Sequence, residues 1–103
     1  MLDDLLLPDT ILADLWQRLQ RGRAEADHPF HTPVVANVNE LDGVSARSMI
    51  LRKVDPENRV LVFHTDRRSA KFAHLLQDPT VAWVFWDPAS RLQIRASTSA
   101  TLH

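Results

Sequence analysis

The sequence predicts a mainly β domain of the α+β class, in which two helices accompany an antiparallel sheet curled into a small barrel. Three observations carry that expectation. Two stretches place apolar residues at helical spacing, the strand-like runs around them are joined by short turns containing Asp, Pro or Gly, and the final run alternates apolar and polar residues from Arg91 to Leu102. Short connections between successive strands leave only antiparallel pairing, because a parallel pair needs a long crossover.

The first helix is expected from Asp9 to about Ala26. Ile11, Leu12, Leu15, Trp16 and Leu19 form one stripe, with Asp14, Gln17, Arg18 and Arg21 on the other side. Asp9 or Thr10, following Pro8, supplies the N-cap. Gly22 weakens the last turns, and His28-Pro29-Phe30-His31-Thr32-Pro33 ends the helix with two prolines. Val34 to Val38 is then a short strand closed by the turn Glu40-Leu41-Asp42-Gly43, and Ser45 to Val54 reads as one long strand ended by Asp55-Pro56-Glu57-Asn58.

Arg59 to Thr65 follows, apolar from Val60 to Phe63, as in a strand covered on both faces. Asp66 is placed to cap a second helix running to about Gln77, with Phe72, Leu75 and Leu76 as its buried stripe, and Asp78-Pro79 stops it. Val81 to Trp86 is the next strand, and Asp87-Pro88-Ala89-Ser90 the next turn. In the last run Leu92, Ile94, Ala96, Ala100 and Leu102 face one way, and Arg91, Gln93, Arg95, Ser97, Ser99 and Thr101 the other. The expected order is helix, three strands, helix, two strands. The sequence reaches His103 with no turn or cap, so a C-terminal strand is expected to be missing or supplied by a second subunit. The chain divides into a helix and Pro-rich connector, residues 1–33, and a barrel domain, residues 34–103.

Composition excludes much. The 103 residues suffice for one domain or part of one, and 45% apolar with 24% charged residues is ordinary for a folded globular chain. A net charge of −1 gives no field to draw the protein to nucleic acid or an anionic membrane, so neither is an expected partner. Acidic residues in MLDDLLLPD stand where a signal peptide is basic, and a cytoplasmic location is the default. Cys is absent, which removes disulfides and thiolate chemistry. His28 and His31 lie in the Pro-rich loop, His103 is the last residue, and His64 and His74 have no partner at ligand spacing, so no metal site is expected. Two Gly cannot build a Gly-rich phosphate loop, and Asp42, Asp55, Asp66, Asp78 and Asp87 all sit where turn capping explains them.

Three constellations remain. Thr65-Asp66-Arg67-Arg68-Ser69-Ala70-Lys71 joins a strand end to a helix start, where free N–H groups and the helix dipole favour an anion; a solvated basic turn is the plainer reading. Arg47-Ser48-Met49-Ile50-Leu51-Arg52-Lys53 carries three cations on one strand, Arg47 and Lys53 on one face and Arg52 on the other; an edge strand guarded by charge is the plainer reading, a site the alternative. Gln93, between Arg91 and Arg95, has an amide able to address a heterocycle edge or simply solvent. Trp83 and Trp86 read as core or subunit-interface aromatics rather than ring-stacking platforms.

Taken in order, Gly43 with Arg47-Ser48-Met49-Ile50-Leu51-Arg52, then Phe63-His64-Thr65-Asp66-Arg67-Arg68-Ser69-Ala70-Lys71, Asp78-Pro79, Phe85-Trp86 and Arg91-Leu92-Gln93-Ile94-Arg95 resemble the pyridoxamine 5'-phosphate oxidase family. The resemblance is nearest to a branch of FMN-binding proteins with a TD-x-R-S-x-K turn and an LQ-[IL]-R strand, and runs from about residue 12 to the end. It implies an antiparallel split β-barrel of the FMN-binding type that dimerises and holds FMN in clefts between subunits. By the same resemblance Arg47 contacts the FMN phosphate, Ser69 and Lys71 complete that pocket, and Ser48, Met49, Ile50, Leu51 and Arg52 run along the flavin. His64 and Thr65 end the next strand beside it, and Gln93 reaches the flavin ring. Three positions depart from the oxidases: Arg52 stands where they have Lys, His64 where they have an aromatic residue, and Ala70 where they have Arg. The family's substrate-phosphate residues and remaining FMN contacts fall beyond His103. The expected function is an FMN-dependent oxidoreductase, with a dimeric split-barrel scaffold that does not retain flavin as the alternative. A barrel binding single-stranded nucleic acid is the weakest reading, given the near-zero net charge and the lack of Tyr.

Overall fold

The computed structural model describes residues 9–39, 43–65 and 70–102, except for the side chains of Asn39 and of residues 70–72. Helix α1 spans Asp9–Ala24, and a short 3-10 turn at Pro29–His31 leads to β1 (Val34–Asn39). Strands β2 (Gly43–Ser48), β3 (Lys53–Asp55) and β4 (Val60–Val62) follow, then α2 (Ala70–Gln77), β5 (Thr80–Asp87) and β6 (Leu92–Ser99). All pairing is antiparallel: one sheet in the order β2-β1-β5-β6 and a separate β3–β4 hairpin. The mainly β, two-helix architecture matches the expected class; the two sheets do not close on one another among the described residues.

The expected single strand Ser45–Val54 is two strands. β2 pairs with β1 as far as Ser48 opposite Val34. Beyond it the partner is the connector, which offers carbonyls without returning donors: Met49 N–H donates to Pro33 O at 3.0 Å and Leu51 N–H to His31 O at 2.9 Å. Pro33 has no N–H, and that of His31 is spent on His28 O at 2.9 Å. The ladder therefore cannot continue. Arg52 N–H turns to Val62 O at 2.8 Å, and the chain enters the second sheet as β3. The count is thus four strands before α2 rather than three.

Two further expectations change. Arg59–Thr65 contributes only Val60–Val62 as strand, because β3 gives it three partners, and it is not covered on both faces: Val60 is 41% exposed. On α2, Leu75 is buried as expected, but Leu76 is 65% exposed; the side chain of Phe72 lies outside the described residues. So do the turn Glu40-Leu41-Asp42 and the Asp66 cap.

The core joins both helices, the connector and the two central strands of the larger sheet. Leu19 from α1, Phe30 from the connector, Val35 from β1, Leu51, Leu75 from α2, and Val81, Trp83 and Phe85 from β5 form one buried cluster. Full burial of each such side chain is worth about 1.5–3 kcal/mol. Phe30 meets Phe85 edge-on with ring centroids 5.7 Å apart, and Phe63 meets Trp83 likewise at 5.3 Å. The Trp83 Nε1–H donates to Thr98 Oγ1 at 3.1 Å, and that hydroxyl donates to Val81 O at 2.9 Å, so the indole is buried with its polar atom satisfied.

The turn aspartates act as their positions suggest. Asp55 accepts from the Asn58 side chain at 2.8 Å and its N–H at 3.2 Å, Asp78 from Thr80 N–H at 2.9 Å, and Asp87 from Ser90 Oγ at 2.9 Å and Ala89 N–H at 3.0 Å. Hydrogen bonds from Asn58, Thr80 and Ser90 respectively, the largest effect in each case, hold these carboxyls below the ordinary aspartate value. Between the lowered folded value and the ordinary one the unfolded chain binds more protons, so stability rises with pH across that window and is lost as pH falls through it. Thermal melting should accordingly be flat near neutrality and decline below about pH 4. An Asn58→Ala, Ser90→Ala double variant should decline less steeply; an unchanged slope would remove these turns from the explanation.

Candidate functional site

Register decides which side chains share a face. In an antiparallel ladder, residues directly opposite project from the same side of the sheet. Val35, Trp83 and Ala96 lie in one cross-sheet row with Arg47. Val35 and Trp83 are core, so Arg47 springs from the inner face, exposed only because β2 is an edge strand. Its Nη2 donates to Ser45 Oγ at 3.0 Å, and no carboxylate pairs with it among the described residues. Helix α2 packs against β1 on this same inner face, with Leu75 in the core beside Val35. Lys71 is in the first turn of α2, its side chain outside the described residues, and Ser69 lies outside them altogether.

The segment after Arg47 alternates in a useful way. Leu51 is 1% exposed and Met49 packs on the core, while Ser48, Ile50 and Arg52 face outward. The N–H groups of Met49, Leu51 and Arg52 are all committed to protein carbonyls. The N–H of Ile50 has no acceptor among the described residues. Among the described residues, then, one main-chain donor lacks an acceptor in the middle of an otherwise anchored stretch.

His64 and Thr65 follow β4 and help line a cavity of about 630 Å³ between that strand and the chain after β6. Its walls include Leu61, Phe63, Leu75, Val81, Trp83 and Leu102. The volume falls in the range of small-molecule sites. Nothing in the sequence pattern signals this cavity: an apolar run such as Val60–Phe63 suits a fully covered strand, and the uncovered side is where the space lies.

Gln93 lies elsewhere. It pairs with Trp86 on the outer face of the sheet, in the edge strand opposite to that of Arg47. Three strand spacings of about 4.8 Å separate β2 from β6, roughly 14 Å. Within one chain the structure groups Arg47 with the α2 side of the sheet and sets Gln93 apart from them.

The chemistry of the first group suits a phosphorylated ligand: a guanidinium with no carboxylate partner among the described residues, on the face against which α2 packs, and a main-chain N–H, that of Ile50, with no acceptor among them. The model of the family described as pyridoxamine 5'-phosphate oxidase, FMN-binding domain, matches residues 13–103, most of the chain. The chain belongs to this family. FMN is therefore the cofactor for which the family's domain is built.

Fourteen chains of solved structures also match. One is a pyridoxamine 5'-phosphate oxidase-related, FMN binding protein from Nostoc punctiforme, with a TM-score of 0.69 and 24% sequence identity. The match covers 84% of this chain and 44% of that one, so the chain spans less than half the length of this relative. At that identity the likeness speaks for the fold. No curated protein matches the sequence. Among the described residues of this family member, no helix is long and apolar enough to cross a membrane, and no three His, Asp or Glu gather as metal ligands.

Proposed function

We propose that the chain is the FMN-phosphate-binding part of a cytoplasmic, homodimeric, flavin-dependent oxidoreductase. Residues 34–103 form the flavin domain, and residues 1–33 its helix and connector. The observation that carries this reading is Arg47, without an acidic partner among the described residues, on the α2 side of the sheet and just before the anchored segment Met49–Arg52, in which the Ile50 N–H has no acceptor among those residues. When bound, FMN supplies hydride or electron transfer. Arg47, with Ser69 and Lys71 from the start of α2, neutralises the phosphate; the backbone from Ser48 to Arg52, through Ile50 N–H, orients the ring system. His64 and Thr65 bound the adjoining cavity, and Gln93 supplies an amide to the ring edge. Flavin absorbance and fluorescence quenching on titration with FMN test the reading directly. A folded dimer indifferent to FMN would replace it with the scaffold function.

The separation of Arg47 and Gln93 supports the dimer. A flavin using both side chains takes Gln93 from a second copy. The outer face that carries Gln93 suits such an interface: Val34, Val38, Val44 and Trp86 are 40%, 38%, 73% and 47% exposed on it, with Ala36, Ala46 and Ala82 between them. Mixing Arg47→Ala with Gln93→Ala protein should then restore about a quarter of the sites, since half the dimers are mixed and each mixed dimer has one intact site. A site built within one chain would regain none. Ala82→Glu, exposed on a central strand of the outer face, should give a folded monomer by light scattering.

A further inference from the structure

Two residues remote in sequence from the expected cofactor contacts tie down the main chain of Leu51 and Arg52. Gly22, in the last turn of α1, has a carbonyl that accepts from His31 Nδ1 at 2.9 Å. A carbonyl only accepts, so Nδ1 carries the hydrogen. The main chain of His31 in turn accepts the Leu51 N–H at 2.9 Å. One residue along α1, Arg23 Nε donates to Arg52 O at 3.3 Å. The end of α1 thus grips the Leu51–Arg52 segment twice, once through the His31 bridge and once directly.

The grip has a rigid base. Gly22 stands so close to Phe30 that an added Cβ would lie 2.4 Å from the Phe30 Cβ, and Phe30 is 1% exposed. Helix, connector and strand are locked at three points within a few residues. The same two ties fix the direction of the chain at Arg52, whose own N–H is held by Val62 O at 2.8 Å.

We infer that Arg23 and His31 are positioning residues for the segment between β2 and β3: they set the main-chain path of Ile50–Arg52 without touching the cofactor. This rests on the flavin reading given above. Two conservative replacements isolate the hydrogen bonds. In Arg23→Gln the amide nitrogen stands at the same bond count as the Arg Nε, and in His31→Asn the Nδ2 stands where His has Nδ1. Arg23→Met and His31→Leu remove the donors.

The experiment follows amide hydrogen exchange by NMR and FMN affinity by fluorescence quenching in the 103-residue chain. For Arg23→Met and for His31→Leu, exchange at Leu51 and Arg52 should be roughly five- to tenfold faster, with β5 and β6 protection unchanged. FMN binding should weaken about three- to tenfold, and Arg23→Gln and His31→Asn should behave as the parent on both measures. Unchanged exchange at Leu51 and Arg52 overturns the inference, as does faster exchange with unaltered FMN affinity, or failure of the Gln and Asn variants to rescue. Should His31→Leu lose β5 and β6 protection, Arg23→Met, on the exposed side of α1, decides alone. Absence of FMN binding by the parent chain overturns the flavin reading instead, and the exchange data then decide separately whether the ties hold the strand.

Discussion

Replacing Arg47 with Ala should weaken FMN by about 1.5–3 kcal/mol, the range for hydrogen bonds to charged groups, which is roughly ten- to a hundredfold in affinity. Lys71→Ala should do the same. Riboflavin has no phosphate, so its binding should hardly respond to either change. The control is built into the structure: Arg47 is exposed, and its side-chain bond is to the Ser45 hydroxyl, so its removal should leave the melting temperature nearly unchanged. Equal losses for FMN and riboflavin would mean that these cations do not meet the phosphate. Loss of stability in step with affinity would mean that Arg47 acts through the fold.

Gly22→Ala should destabilise the protein even though helix propensity favours it by about 1 kcal/mol. The added Cβ meets Phe30 Cβ at 2.4 Å and the Phe30 carbonyl carbon at 3.0 Å. Neither atom belongs to a flexible side-chain end, and the ring of Phe30 is pinned edge-on to Phe85. Overpacking of this kind costs about 1–3 kcal/mol or more, and in a domain of this size each kcal/mol moves the midpoint by about 4–8 °C. Phe30→Ala should not relieve the clash, because Cβ and the backbone remain. A neutral or stabilising Gly22→Ala in a urea or thermal midpoint would show that α1 stands off from the connector in solution.

What could be read from the sequence was local, and what could not was relational. Helix α1 came from one apolar stripe and ended within two residues of its expected limit, and β6 came from strict alternation. The aspartate turns at Asp55, Asp78 and Asp87 came from the chemistry of a short acceptor beside a free N–H. The break after Ser48 did not announce itself, because the apolar residues on either side of it continue one period. It is decided by Pro33 and His31, more than a dozen residues earlier, which present carbonyls but no donors to Met49 and Leu51. The same limit applies to the site. Alternation placed Arg47 and Gln93 each on a face of its own strand, but only register shows that one face is inner and the other outer. The side chains of Arg23 and His31 carried no signal at all, since a helix-end arginine and a loop histidine have many plainer uses.

The handover from β2 to β3 has a mechanical side. Within the covalent chain, any rotation of the small hairpin against the larger sheet must be absorbed by the torsions of Met49–Arg52 or by the longer stretch 63–79 that contains α2. A ligand clasped between those two stretches would load both joints at once, and so act as a splint between the two sheets rather than as a guest on their surface.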